Sequence, residues 1–478
     1  MVGFIGRQRE LSVLKNLLNK KQAQLIVLKG RRRIGKSSLV QAFAQQGDLK
    51  NKKYLVFTGL PPETHTTSQS QRDEFSRQFS QQTNMPDIKA DDWSKLFYLL
   101  AETVKRGKTI ILFDEISWMG SKDPNFLGQL KNAWDLMFKK NPKLILILCG
   151  SVSSWIEKNI ISSTGFFGRI SLRLTLEELP LKDCNLLLQK IGFDRSNMEK
   201  LMLLAVTGGV PWYIESINPT YSAAENIKKL CFEKNGLLVD EYQFIFHDLF
   251  GRRGEICKRI VECLADGSAE YTSIASALRY HSSGSLSEYL DDLIISGFLK
   301  RDFTWSLKQG KDSKLSRFRL SDNYLRFYLK YIAPRLNQIS KGQFSELSSL
   351  PNWDSMIGLQ FENVILNNRQ LIFNELGLKP DEIIADNPFF QRKTVKQHGC
   401  QIDYLIQTKH QTLFACEIKF SHNPIDVSVV TDMKEKLSRL ALPRGFSCLP
   451  VLIHINGISQ HVVNEQYFFK TIDFSTLL

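Results

Sequence analysis

The eight residues Gly30-Arg31-Arg32-Arg33-Ile34-Gly35-Lys36-Ser37 restrict the fold of this chain more than any other stretch. They spell GxxxxGK[ST], between an apolar run, Leu25 to Leu28, and a helix-like run from Ser37 onward. A strand, a glycine-bounded loop and a helix in that order make a phosphate cradle, because glycines let backbone N–H groups wrap the phosphates. Gly30, Arg33, Ile34, Gly35, Lys36, Ser37 and Ser38 are the expected nucleotide-contacting positions. Lys36 would reach the β- and γ-phosphates, and Ser37 would give an oxygen to Mg²⁺.

Such a loop needs a sheet to hold it. Tyr54 to Thr58, Thr109 to Phe113 and Lys143 to Cys149 are further strand-like runs, separated by helical segments, so a parallel α/β sheet is predicted. The run at 109 ends in Asp114-Glu115. Asp114 would hold Mg²⁺ through water, and Glu115 would polarise a water attacking the γ-phosphate. Ser151, just past the third run, either meets the γ-phosphate or caps the next helix; its position alone leaves both open.

At 478 residues the chain has room for about three domains. The expected class is α/β multidomain, divided as 1–180 nucleotide core, 181–250 helical lid, 251–340 winged helix with a basic segment, and 341–478 a second α/β domain. Helix-like stretches Glu255–Leu264, Thr272–Leu278 and Ser285–Ser296 followed by Phe298–Phe303 outline the winged helix. Eight scattered cysteines without a CxxC pair suggest neither a zinc ribbon nor a disulfide framework. No run approaches the length of a membrane span, and a cytoplasmic, soluble protein without membrane contact is expected.

Phe4-Ile5-Gly6-Arg7, the Arg-rich loop, Leu112-Phe113-Asp114-Glu115, Gly168-Arg169-Ile170 and Gly209-Val210-Pro211 fall in one order. That order resembles archaeal-type P-loop ATPases, akin to the AAA+ and signal-transducing STAND groups, over about residues 1–335. The resemblance implies ATP with Mg²⁺, Phe4 to Gly6 near the adenine and Pro211 at the base of the lid. It implies that Arg169 is an arginine finger or an internal γ-phosphate sensor, and it raises the prospect of a homo-oligomer or a protein partner.

The net charge is +14, and residues 300–341 carry eleven Lys and Arg against three Asp, a balance of +8. Beside a winged-helix outline this points to nucleic acid, DNA first, bound with a steep salt dependence. The aromatics Phe318, Tyr324, Phe327, Tyr328 and Tyr331 are spaced as helix core.

Near the C-terminus, Asp403 closes one strand-like run and Glu417-Ile418-Lys419 lies in the next. Glu417 and Lys419 share a strand face, since side chains alternate. Two acids and a lysine on adjacent strands suit metal-dependent phosphodiester cleavage: Asp403 and Glu417 as Mg²⁺ ligands, Lys419 orienting or deprotonating water. Glu362, on the helix Trp353 to Asn367, would add a carboxylate. Short [DE]xK matches are common here, Asp432-Met433-Lys434 among them, so the order of elements carries the argument. Residues 351–478 resemble a PD-(D/E)XK restriction-endonuclease-like domain. Together these imply an ATP-regulated, Mg²⁺-dependent DNA nuclease of prokaryotic defence or DNA processing; the alternative is an ATP-switched nucleic-acid-binding or signalling regulator whose C-terminal domain does not cut.

Overall fold

Strands that are apolar on both sides must be covered on both faces. The computed structural model describes residues 4–45, 53–250, 253–280, 284–395 and 397–478, excluding the side chains of 247–249. Its chain falls into two compact units, Met1–Glu178 with Asp248–Phe250, and Leu179–His247 with Gly251–Leu478. Among the described residues of the first unit, five parallel strands form one sheet: β1 (Gln24–Lys29), β2 (Lys53–Thr58), β3 (Thr109–Asp114), β4 (Leu144–Gly150) and β5 (Ile170–Thr175), in the order β2-β3-β4-β1-β5. Leu25, Val27, Ile111, Phe113, Leu144 and Leu146 enter one buried cluster. Ile26, Leu28, Ile110, Leu112, Ile145 and Ile147 enter another, as alternation demands of a sheet covered twice.

The pairings Lys29↔Gly150 and Phe113↔Leu148 line up the carboxyl ends of β1, β3 and β4 along one edge of the sheet. β5 lies outside the four predicted strands. Its residues alternate half-buried and exposed, so no apolar run marks it.

The other edge strand, β2, is sealed by side chains. From the helix Ser68–Thr83, the Gln82 amide accepts from Val56 N–H (2.8 Å) and donates to Val56 O (2.7 Å). Gln78 makes the same pair with Thr58, at 2.8 and 3.0 Å, and Gln71 with Leu60, at 2.9 and 2.8 Å. Three amides on one helix thus supply alternate residues of the edge with the hydrogen bonds of a missing neighbour strand.

In the second unit, helices Gly254–Cys263, Tyr271–Ala277 and Gly284–Ile295 precede an antiparallel hairpin, β6 (Leu299–Ser306) and β7 (Lys311–Leu320). A second sheet follows: β8 (Ile383–Gln391), β9 (Cys400–Thr408), β10 (Thr412–Lys419), β11 (Ser447–His454) and β12 (Lys470–Asp473), in the order β12-β11-β10-β9-β8. β8, β9 and β10 run antiparallel in turn, while β10, β11 and β12 are parallel. β8 and β12 lie outside the predicted strands.

The hairpin tip is not a free wing. Trp305 and Leu307 are buried in one cluster with Phe389, Leu405, Leu413 and Met433. Trp305 Nε1 donates to Gln407 Oε1 at 2.6 Å, and Gln407 Nε2 donates to Leu307 O at 2.9 Å. The base of the hairpin is tied down as firmly. Arg319 donates through Nε to Asp302 Oδ2 at 2.8 Å and through Nη1 to Asn363 Oδ1, and Asn363 Nδ2 donates to Leu320 O at 2.9 Å. Arg326 Nη1 donates to Gln360 Oε1 at 3.0 Å, and all these side chains are buried. Burial, then the Arg319 charge, lowers the Arg326 pKa to about 10.

The eleven cations of 300–341 are therefore not all available to a polyanion. Arg319 and Arg326 are internal, Arg317 lies 4.6 Å from the Phe390 ring and Lys330 pairs with Asp266. Lys300, Arg301, Lys308, Lys311, Lys314 and Lys341 stay exposed. Phe318, Tyr324, Phe327, Tyr328 and Tyr331 are all buried, but only the last four lie on helical turns; Phe318 is on β7.

Candidate functional site

In the first unit the loop after β1 is held in a shape that only part of its sequence adopts readily. Gly30 has φ 155° and Gly35 φ 87°. A Cβ on Gly30 would meet the Leu176 carbonyl oxygen at 2.5 Å, so no other residue fits there without backbone movement. Arg33 also has positive φ, 66°, a left-handed conformation that costs a non-glycine residue roughly 1–2 kcal/mol. Ile34 is fully buried, and its carbonyl accepts from Arg7 Nη2 at 3.2 Å. Arg7 Nη2 also reaches Glu177 O at 2.6 Å, which fastens the segment following Phe4-Ile5-Gly6 to the loop.

Lys36 opens the helix Lys36–Gln45, and its ammonium turns back to donate to Gly30 O (2.9 Å) and Arg31 O (3.0 Å). Phosphate oxygens are better acceptors for that charge than amide carbonyls. Ser37 Oγ donates to Asp114 Oδ2 at 2.6 Å, from the first turn of that helix to the end of β3. A hydroxyl and a carboxylate in contact form the hard oxygen set that Mg²⁺ takes, and Ser37 and Ser38 are both exposed to solvent. The residues present therefore fit a magnesium nucleotide.

Glu115 follows with φ 50°, left-handed again, and opens the short helix Ile116–Met119. Its Oε2 accepts from Ser151 N–H at 3.0 Å and from Ser151 Oγ at 2.8 Å. The two expectations for Ser151 thus resolve into a third: in this structure it holds the carboxylate beside the loop.

Arg169 is placed elsewhere. It precedes β5, whose first residue Ile170 pairs with Leu25 at the amino end of β1, whereas the loop leaves the carboxyl end after Lys29. At ~3.3 Å per residue that separates Arg169 from its own loop by roughly 16 Å or more. Its guanidinium is bound to Asp135, with Nε 3.0 Å from both carboxylate oxygens and Nη2 2.8 Å from Oδ2. That pairing, joined by Lys131 and Lys139, lowers the Asp135 pKa to about 2. The structure thus places Arg169 near the amino ends of the strands, paired with Asp135, and not beside the loop of its own chain. Pro211 lies in the second unit, at the first position of the helix Pro211–Glu215.

In the second unit, Asp403 on β9 and Glu417 on β10 meet. The Glu417 side chain is fully buried and that of Asp403 partly so. Asp403 Oδ2 accepts from Ile418 N–H at 3.0 Å. Burial, then the Glu417 charge, raises the Asp403 pKa. Lys419 Nζ lies 2.9 Å from Glu417 Oε1. Glu362, on the helix Trp353–Asn367, feels the same charges: burial first, then Asp403, push its pKa up to about 7. The expected quartet of Glu362, Asp403, Glu417 and Lys419 is thus electrostatically one cluster. Among the described residues no three His, Cys, Asp or Glu side chains form a metal-holding group. Two carboxylates are nonetheless within the range Mg²⁺ uses when water and substrate fill its remaining positions.

The residue missed from sequence is Lys436. On the helix Ser428–Arg439 its Nζ bonds Glu417 Oε2 and lies 3.5 Å from Asp403 Oδ1. Its signal was available: Val429, Met433 and Lys436 follow a helical stripe, and a lysine on an apolar stripe needs an acidic partner.

The raised Glu362 pKa has a consequence for stability. Its folded value exceeds the unfolded one, so the cost of ionising it is absent below about pH 4.5, grows as pH rises, and is complete above about pH 7. Glu362→Gln is expected to stabilise the protein at pH 8 by on the order of 2 kcal/mol, with the gain vanishing by pH 4.5. Thermal unfolding of both proteins in chelator across that range measures it.

Comparison with known proteins covers the first unit and reaches into the second. Residues 4–217 match the family described as an ATPase domain predominantly from Archaea. An uncharacterized protein of Methanocaldococcus jannaschii is 26% identical over 364 residues, 76% of each chain. A shorter protein of that organism, named as an uncharacterized ATP-binding protein, is 43% identical over 50 residues, covering 10% of this chain and 85% of its own. The structure of a Walker-type ATPase from Pyrococcus abyssi superposes with a TM-score of 0.50 at 18% identity, over 68% of this chain and 96% of that one. Among the described residues no helix is long and apolar enough to cross a membrane.

Proposed function

We propose that the domain of residues 4–217, which matches the ATPase family found predominantly in Archaea, binds and hydrolyses ATP and thereby regulates metal-dependent DNA cleavage by the C-terminal unit. In the first unit, the loop amides and Lys36 bind and orient the phosphates. Ser37 and Asp114 would hold Mg²⁺, which screens the β- and γ-phosphate charge. Glu115 accepts a proton from, or orients, the attacking water once the water displaces the Ser151 hydrogen bonds. Arg169 would then act on the nucleotide of a second copy.

The observation that carries the nuclease reading is the convergence of Asp403 and Glu417, two buried carboxylates from adjacent strands, with two lysines on them. These two would hold Mg²⁺, which supplies Lewis-acid activation of a phosphodiester. Lys419 orients water, and the exposed cations Lys300, Lys308, Lys311 and Lys314 would track the DNA backbone. A non-cleaving C-terminal domain is favoured by one fact, that Lys436 already neutralises both acids.

Incubation of plasmid and linear DNA with wild type and Asp403→Ala, in Mg²⁺ with and without ATP, tests the reading. Cleavage by wild type is expected, with a loss of at least ~10²-fold in the variant. Equal inertness of both proteins under every condition removes the nuclease assignment.

A further inference from the structure

We infer that the Lys436 ammonium is a tethered occupant of the cation seat between Asp403 and Glu417, and that a divalent metal reaches the seat only by displacing it. The inference rests on the reading of this carboxylate pair as a metal seat. Each acid commits one oxygen elsewhere: Asp403 Oδ2 to Ile418 N–H at 3.0 Å, and Glu417 Oε1 to Lys419 at 2.9 Å. The remaining oxygens, Asp403 Oδ1 and Glu417 Oε2, both face Lys436 Nζ. Two carboxylates buried together need a cation, since neither can shed its charge to water. In this structure that cation comes from the chain itself.

The geometry makes the lysine the movable partner. Asp403 and Glu417 are fixed on paired strands, with side chains 15% and 0% exposed. Lys436 approaches from a helix on a long stem and is 30% exposed, so its head can swing out to water while the acids stay. An ammonium is a compact point charge, interchangeable in position with a metal ion in a way that a planar guanidinium is not. Competition between the two follows directly: part of the metal's binding free energy goes into unseating the lysine, and its apparent affinity is lowered accordingly. The arrangement also separates two lysines by role. Lys419, ion-paired with the other oxygen of Glu417, can stay when the metal binds, whereas Lys436 cannot.

Calorimetric titration of the full chain with Mn²⁺ tests this, comparing wild type with Lys436→Gln. The variant is expected to bind at least ~10-fold more tightly, and to unfold at lower temperature than wild type in EDTA but not in saturating Mn²⁺. Equal Mn²⁺ affinity of the two proteins overturns the inference. A measurement on wild type alone guards against a variant that fails to fold: reductive methylation followed by mass spectrometry should find Lys436 protected in EDTA and modified once Mn²⁺ is bound. Continued protection with Mn²⁺ bound overturns the inference, and Asp403→Asn should abolish the Mn²⁺ effect. If neither wild type nor variant binds Mn²⁺, the inference and the metal seat fall together. If Lys436→Gln binds Mn²⁺ more tightly but no DNA is cut, the inference stands and the nuclease reading falls.

Discussion

Glu115→Gln is expected to slow ATP turnover by about 10²- to 10⁴-fold, the range for losing a general base, while ATP affinity is unchanged. The separation follows from where the residue sits. In the proposed site, binding would rely on the loop amides, Lys36 and the Ser37–Asp114 pair, none of which the substitution touches. The introduced amide keeps an oxygen that can accept from Ser151, so the left-handed turn after β3 retains its anchor. What disappears is the carboxylate charge that polarises water. Lys36→Ala should behave in the opposite sense, losing binding as well as turnover, and equilibrium binding of a fluorescent ATP analogue beside phosphate-release kinetics separates the two. A Glu115→Gln protein that hydrolyses ATP at the wild-type rate would place the base elsewhere.

The second large effect concerns the buried ion pair at the hairpin base. Asp302→Ala should destabilise the second unit by about 3–5 kcal/mol, because it strands the Arg319 guanidinium in the interior. Asn363 still accepts from Arg319 but brings no charge. The double variant Asp302→Leu/Arg319→Met should recover much of that loss, since replacing both partners with apolar groups removes the uncompensated charge. Urea unfolding of the full chain, with hydrogen exchange across β6 and β7 as the local readout, measures both. If single and double variants lose the same stability, the pair is not what holds the hairpin.

The parts of this molecule that could be read from sequence are those where local chemistry leaves one solution. The loop needs glycine at 30 and 35, and β1, β3 and β4 are apolar because both faces of their sheet are covered. The helix carrying Glu362 and the strands carrying Asp403 and Glu417 follow from the same logic. Edge strands obey weaker rules. β5 alternates because one face is open, β8 contains Asp386, Asn387 and Pro388 in a row, and β12 has four residues. Charge was the least legible property. A sequence count treats Arg319 and Lys311 alike, yet one is an internal strut and the other faces water. Likewise Arg169 takes its meaning from Asp135, 34 residues away, and Lys436 from Asp403 and Glu417, 33 and 19 residues away.

The three glutamines along β2 bear on how this domain can meet its own kind. An open strand border is a template on which another polypeptide can grow, in register and without limit. Here that border is already read by Gln71, Gln78 and Gln82, so an incoming strand would have to outcompete six hydrogen bonds held by a preformed helix. Polymer growth from the β2 side is therefore suppressed at the level of the folded domain, and self-association on that side must go through side-chain surfaces, which can be reversible.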